Sequence, residues 1–396
     1  MLPLDGFRIL AVEQYGAGPF GTMLLGDLGA EIIKIENPAD GGDMARAIGP
    51  HFLDSGDSEF FQSFNRNKKS LTLNLKTAEG RETLRDLARS ADGLLDNLRG
   101  DLPDKLGLTY ASLRDVNPRI VCAHLTAYGR GGSRAAWPGY DYLMQAESGY
   151  LNLTGEPDGP PSRCGISIID MMTGVMAGFA LLSGMLGARA RGQGCDLDTS
   201  LFDTSLHNLS YLATWYLNEG VNQTREARSS HPSLTPSQLY RTKDGWIFIM
   251  CNKEKFWPML ARAVGHPEWG DDPAFRSFAD RLKQREKLTD MLDAALQART
   301  TTAWLAHFAG QIPAAPVYDV RQALDNPFVR ENGNIGRFHP KTGESFEMLL
   351  GPIRVPGETP RAEPAPALGA DTDALLEELG YDKARIADLR KKGVIG

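Results

Sequence analysis

Cysteine and histidine are both scarce in this chain of 396 residues. Four cysteines (Cys122, Cys164, Cys195, Cys251) stand apart with no C-x-x-C pair, and histidines number seven. That spacing gives no zinc motif and no disulfide framework, so no metal site is expected and a reducing compartment fits. An excess of positive charge is absent too. The net charge is −7 and the pI about 5.6, the opposite of what a phosphate-backbone binder needs, so no nucleic acid partner is expected and an anionic ligand would need a local basic pocket. The opening residues MLPLDGFRILAVEQ lack the basic-then-apolar pattern of a leader, and a cytoplasmic location is the expectation. Only one run, Met171 to Ala188, approaches the ~20 residues that cross a bilayer. Its dense glycine and moderate hydrophobicity favour a buried core helix, so no membrane partner is expected.

Against these absences, 42% of residues are hydrophobic and 23% charged, the balance of a soluble globular enzyme. The length exceeds what one core usually supports, which predicts two domains. The first half alternates β-rich runs (FRILAVE, EIIKIE, KSLTLNL, DGLLDNL, RIVCAHL and later CDLDTS) with helical periodicity over Phe20–Leu28, Thr77–Ser90 and Leu201–Asn218. Such a rhythm predicts an α/β fold with a parallel sheet covered by helices. Near residue 226 the pattern changes to turn formers, a strand (GWIFIMC) and short charged helices. Past Pro340 comes a proline-rich extended stretch and then a helical tail, Thr372–Lys392. The predicted layout is a large domain over 1–225, a smaller domain over 226–330, and a return segment, 331–396, packing back on the first.

Two motifs carry possible chemistry. GAGPFG (Gly16–Gly21) follows a strand, precedes a helix, and is followed by Glu36 at the end of the next strand, the pattern of a dinucleotide fingerprint. An NAD-dependent dehydrogenase is therefore one reading, although Pro19 removes an amide a phosphate would use; a tight strand-to-helix turn is the plainer one. The second motif is IIDMMTG. Asp170 ends the apolar run GISII and opens a helix, so it reads as an N-cap whose charged form the helix dipole and free amides favour. An ionised carboxylate is what a nucleophile requires.

Several segments in order, PLDGFRILAVEQYGAGPFGTMLLGDLGAEIIKIENP, FNRNKKSLTLNLKTAEG, GYDYLMQAESG, TGEPDGPPSRCGISIIDMMTG, RGQGCDLDTSLFD and the terminal LGADTDALLEELGYD, together resemble the family III CoA-transferases, which include formyl-CoA, carnitine-CoA and succinate/glutarate-type transferases. The likeness runs from residue 3 nearly to the end. It implies a Rossmann-like large domain completed by the return segment 331–396, a smaller α/β domain between, an interlocked homodimer, coenzyme A as co-substrate with no tightly bound cofactor, and Asp170 as the nucleophile, whereas Asp141 and Asp158 stand outside the motif position. The CoA-binding positions it implies are Gly16, Ala17, Asn37, Leu73, Asn74, Lys76, Asn97, Arg99, Lys105 and Leu106, with Tyr140 lining the CoA or acyl site and Arg46 meeting substrate or adenine. Asn37 departs from the arginine frequent in relatives.

The partners the resemblance implies are an acyl-CoA and a small carboxylic acid. Gln145, with Glu147 close by, is a candidate for the thioester or acid, and the loop HPSLTPS, with His231 and Ser233, is a candidate for acid recognition. A formyl-CoA-type glycine loop is absent there, so a short dicarboxylate is expected. The family also contains α-methylacyl-CoA racemases, but Tyr140 stands at their histidine position, and a phenol with a pKa of ~10 is a poor exchange base. His124, near the end of RIVCAHL, reads as a structural histidine. A noncatalytic CoA-binding module is the third alternative.

Overall fold

The computed structural model describes residues 1–54, 56–341 and 343–396. Six parallel strands, β1 (Arg8–Val12), β2 (Glu31–Glu36), β3 (Lys68–Thr72), β4 (Gly93–Asp96), β5 (Val121–Thr126) and β6 (Asp196–Ser200), form one sheet in the order β3-β2-β1-β4-β5-β6. All six coincide with the β-rich runs of the sequence. The strands are rich in Ile, Leu and Val, and those at the centre are buried along nearly their whole length, as a sheet covered on both faces requires. Alternation sorts the faces: Leu10 and Val12 join a core with Leu84, Leu87, Leu375, Leu376, Ile386 and Leu389, while Ile9 and Ala11 point to the other side.

That other side is covered by α1 (Ala17–Asp27) and by a long helix, Ile168–Arg191. A β-carbon at Gly21 would fall on the Gly174 carbonyl, and one at Gly174 on the Ala17 carbonyl. The glycines of GAGPFG and MMTG thus let two helix backbones touch. The long helix rests on the sheet through Leu181 and Met185 at Gly93, and its Gly184 lies against Val121 and Leu197. It is long and apolar enough to cross a membrane by length and composition, yet its stripe Thr173, Ala177, Leu181, Met185 and Ala188 is buried inside the chain.

The expected Leu201–Asn218 helix is two helices, Leu201–Asn208 and Ser210–Glu219, broken where Ser210 takes φ 50°. The chain divides there into two compact units: 1–148, 165–210 and 328–396 form the first, and 149–164 and 211–327 the second. The division falls earlier than residue 226 and also assigns 149–164 to the second unit. That unit has an antiparallel sheet of β7 (Ser237–Arg241), β8 (Trp246–Met250) and β9 (Ala314–Pro316) around Tyr240, Trp257, Leu288, Leu292 and Trp304. In the first unit, β10 (Ile335–Phe338) and β11 (Phe346–Leu349) form a hairpin. Beyond it the return segment covers the β3 edge, where Asp371 accepts the Ser70 N–H (2.9 Å) and the Thr372 hydroxyl accepts that of Thr72 (3.0 Å).

Candidate active site

Strand order reverses at β1, whose neighbours are β2 and β4. Connections diverge from the carboxyl ends there, leaving the crevice in which doubly wound folds place ligands. The loop after β1 (Glu13 to Gly16) and Asn97 after β4 form its floor, because the Asn97 amide pairs with both the N–H and the C=O of Gln14 (2.8 and 2.7 Å). A cavity of about 310 Å³ opens here, lined by Tyr15, Gly16, Ala17, Asn97, Arg99, Trp137, Tyr140 and Asp170 among others. A cleft of about 260 Å³ shares Gln14, Leu98 and Leu102 with it and continues past Asn37, Leu73, Asn74, Lys76 and Leu106. Ten of the eleven positions expected to meet CoA therefore line these two adjoining cavities, and the reactive candidate, Asp170, lines the first of them. Lys105 is outside the lining: it is exposed and pairs with Asp101 (2.8 Å).

Asp170 is not the N-cap. The long helix starts at Ile168 after Ser167, so Asp170 is the third residue of its first turn. The cap is supplied from far away in sequence, because Asp141 Oδ2 accepts the N–H groups of Ile169 (2.7 Å) and Asp170 (3.0 Å). Gln145 Nε2 donates to Asp141 Oδ1 (2.5 Å) and is itself buried. With the helix amides spent on Asp141, nothing offsets the burial of Asp170, and no hydrogen bond reaches its carboxyl among the described residues. Burial and then the Asp141 charge push its pKa up to about 7. The sequence-based expectation of a stabilised carboxylate is thus reversed: the group is poised between its two forms at neutral pH. Gly16 is what this geometry needs, since a β-carbon there would lie 3.2 Å from Asp170 Oδ2.

Other expected contacts are committed elsewhere. Arg46 gives its guanidinium to Glu36 (2.7 and 2.9 Å) and stacks over Phe61, so neither Arg46 nor Glu36 serves as a dinucleotide-type ligand group. Asn37 caps its own turn at Ala39 N–H (3.2 Å) and hydrogen-bonds Asp40. Gln145 holds Asp141 instead of facing a ligand, and Glu147 accepts the Tyr128 hydroxyl (2.7 Å) and pairs with Arg134. Lys76 and Arg99 are exposed and, among the described residues, pair with Asp40 (3.6 Å) and Asp101 (3.2 Å). Surface pairs of this kind are worth ~0–1 kcal/mol, so a phosphate could recruit either cation.

His124 is enclosed between Asp96 (2.6 Å) and Asp196 (3.0 Å), and although burial opposes the charge, these two carboxylates raise its pKa to about 9. A protonated, buried imidazole is no exchange base, which fits its reading as a structural residue. His231 and Ser233 belong to the second unit. There the N–H groups of Ser233 and Leu234 donate to His231 Nδ1 (3.1 Å each), and burial and then Arg285 hold the ring below its usual pKa.

Asp141 is the functional residue the sequence reading passed over. Its only signal was position, in GYDYLMQ just before a short helix, and the contact with Asp170 spans 29 residues. Fold and site together define a doubly wound α/β protein built around one buried carboxyl in the lining of a ligand-sized cavity.

The chain belongs to the CoA-transferase family III, whose model matches residues 4–372, and it is an enzyme of that class, acting on CoA thioesters. It is 34% identical to the succinyl-CoA:glutarate CoA-transferase of Mus musculus, covering 100% of this chain and 91% of that protein. It is 33% identical to the acetyl-CoA:oxalate CoA-transferase of Acetobacter aceti, covering 97% of each. Among solved structures, a CAIB/BAIF family protein from Brucella suis matches with a TM-score of 0.81 at 31% identity, over 96% of this chain and 99% of that one.

Proposed function

We propose that this transferase moves CoA from succinyl-CoA to a short dicarboxylic acid through covalent intermediates on Asp170. One observation carries the reading: a buried carboxyl without a hydrogen-bond partner of its own among the described residues, with a pKa near 7, shares a cavity with positions expected to hold CoA. Its basicity makes it a stronger nucleophile than an ordinary carboxylate while leaving about half of it ionised at neutral pH.

The Asp170 carboxylate attacks the thioester carbonyl, the C–S bond breaks, and an acyl-aspartyl anhydride forms with free CoA thiolate. The thiolate attacks the aspartyl carbonyl, releasing the donor acid as its carboxylate and leaving aspartyl-CoA. The acceptor carboxylate attacks that thioester to give a second anhydride, and the thiolate then takes the new acyl group and returns Asp170. Each step exchanges one activated acyl bond for another, so the site must exclude water and needs no external energy source.

CoA is proposed to lie with its phosphates near Lys76 and Arg99 and its thiol end near Gly16, Ala17 and Tyr140. The His231–Ser233 loop is proposed to select the acid, for it offers a neutral imidazole and a hydroxyl. The relatives include transferases named for glutarate and for oxalate at nearly equal identity, so the acid is settled by assay. With succinyl-CoA as donor, glutarate or a similar dicarboxylate should yield its CoA ester at least about tenfold faster than oxalate or formate, a margin that one well-placed polar contact supplies. Exchange confined to formate and oxalate would overturn the dicarboxylate reading.

A homodimer is also proposed. The outer face of the long helix exposes Met172, Val175, Met176, Phe179 and Leu186, an apolar stripe of the kind that marks an interface. Light scattering at assay concentration should return twice the chain mass; a monomer at that concentration contradicts it. Four scattered cysteines with no C-x-x-C spacing support a cytoplasmic location.

A further inference from the structure

Glu13, Lys34, Asp43 and Lys68 form a cluster of fully buried ionisable side chains in the first unit. Buried ions are unfavourable unless each is closely partnered, and here the partnering converges on one loop. Lys68 Nζ and the Thr22 hydroxyl donate to Glu13 Oε1 (2.7 and 2.8 Å). Lys34 Nζ donates to the Glu13 carbonyl (3.0 Å) and lies 2.8 Å from Asp43 Oδ2. Asp43 Oδ1 in turn accepts the N–H groups of Tyr15 and Ala45 (2.9 Å each). With Asn97 on Gln14, the backbone of each residue from Glu13 to Tyr15 is held by a side chain from another part of the fold.

What is held is strained. Tyr15 has φ 67°, the left-handed region that a bulky residue avoids. Such conformations persist where surrounding contacts over-determine them, and they concentrate at active sites. The residue it delivers is Gly16, where a β-carbon would lie 3.2 Å from Asp170 Oδ2.

We infer that Asp43, pinned by Lys34, is a positioning residue for acyl transfer: by holding the Tyr15 N–H it fixes the Tyr15–Gly16 backbone against Asp170 and so sets the turnover rate without touching the reacting atoms. The inference rests on Asp170 being the nucleophile.

Removing Asp43 alone would strand the Lys34 charge, so the test compares two neutral double variants. Lys34→Met/Asp43→Asn keeps an oxygen for the Tyr15 N–H, and Lys34→Met/Asp43→Leu removes it. Both lose the Lys34 contact to Glu13, so they differ in the side-chain oxygen at position 43 that the Tyr15 and Ala45 N–H groups share. The asparagine pair should hold kcat within about threefold of wild type. The leucine pair should lose about 30- to 100-fold in kcat with KM for the acyl-CoA within about threefold, the penalty for misplacing a reacting group by the order of an ångström. Should the leucine pair not fold, Lys34→Met/Asp43→Ala removes the same acceptor without a branched side chain. Equal kcat in the two pairs, whether high or low, overturns the proposal. Single-turnover mass spectrometry separates this from the nucleophile reading. No adduct on Asp170 in the wild type defeats that reading, whereas an adduct forming equally fast in wild type and the leucine pair defeats only the role of Asp43.

Discussion

Asp170→Ala should lower kcat by about 10⁴-fold or more, the scale on which loss of a covalent nucleophile is felt, with KM for the acyl-CoA changed only slightly. Geometry separates the two parameters. Asp170 is one of many residues lining the first cavity, and the groups proposed to hold CoA are the other residues of that lining and of the adjoining cleft. Truncating it removes the atom that attacks the thioester and leaves the rest of the lining in place. The helix keeps its cap because the Asp141 contacts go to the Ile169 and Asp170 backbone N–H groups, which alanine retains. Steady-state kinetics with succinyl-CoA and glutarate read the effect. A variant within about tenfold of wild type would mean that Asp170 carries no covalent step.

The second large effect is on pH. Since the Asp170 pKa is raised to about 7, kcat/KM should fall about tenfold per pH unit below 7 and level off above it, because the free enzyme must be ionised to react. A limb near pH 4 would show an unperturbed carboxyl. Stability moves in the opposite sense. The unfolded chain titrates this group near the ordinary aspartate value of 3.8 and the folded chain near 7, so between those values the folded state holds the extra proton. The native state therefore loses stability as pH rises from about 4 to 7, and the loss is complete above that. Asp170→Asn never carries the buried charge, so at pH 8 it should be more stable than wild type by about 2–4 kcal/mol, a tenfold change in proton affinity being worth roughly 1.4 kcal/mol. At pH 4 the two should melt alike. Chemical denaturation at both pH values checks this, and a variant less stable than wild type at pH 8 contradicts it.

Much of the scaffold was legible because strand periodicity is local. Most of the parallel strands were visible as apolar runs, the polar CDLDTS of β6 being marked instead by the glycine turn before it, and the resemblance to the CoA-transferases singled out Asp170 in IIDMMTG. Its surroundings were not legible. An aspartate opening a helix reads as a charged cap, and only the fold reveals that Asp141, 29 residues earlier, takes the amides and leaves Asp170 to bear its burial. The same limit applies to GAGPFG: glycines that admit a phosphate and glycines that admit another helix backbone look identical, and the partner, Gly174, lies far along the chain. Neither Lys34 in EIIKIE nor Lys68 was singled out, because the partners that let a buried charge persist, Asp43 and Glu13, lie elsewhere in the chain. The break at Ser210 was missed because Leu201–Asn218 keeps helical composition through a point where one backbone angle changes sign.

The central claim, that CoA passes through Asp170, is tested most directly by the intact mass of the enzyme after brief exposure to succinyl-CoA without an acceptor acid, with hydroxylamine added to trap activated acyl groups. Transfer through Asp170 predicts a CoA adduct in the untrapped enzyme, conversion to a hydroxamate that peptide mapping locates at Asp170, and neither species in Asp170→Ala. An unmodified wild-type mass under conditions that support turnover, or modification at another residue, would contradict it.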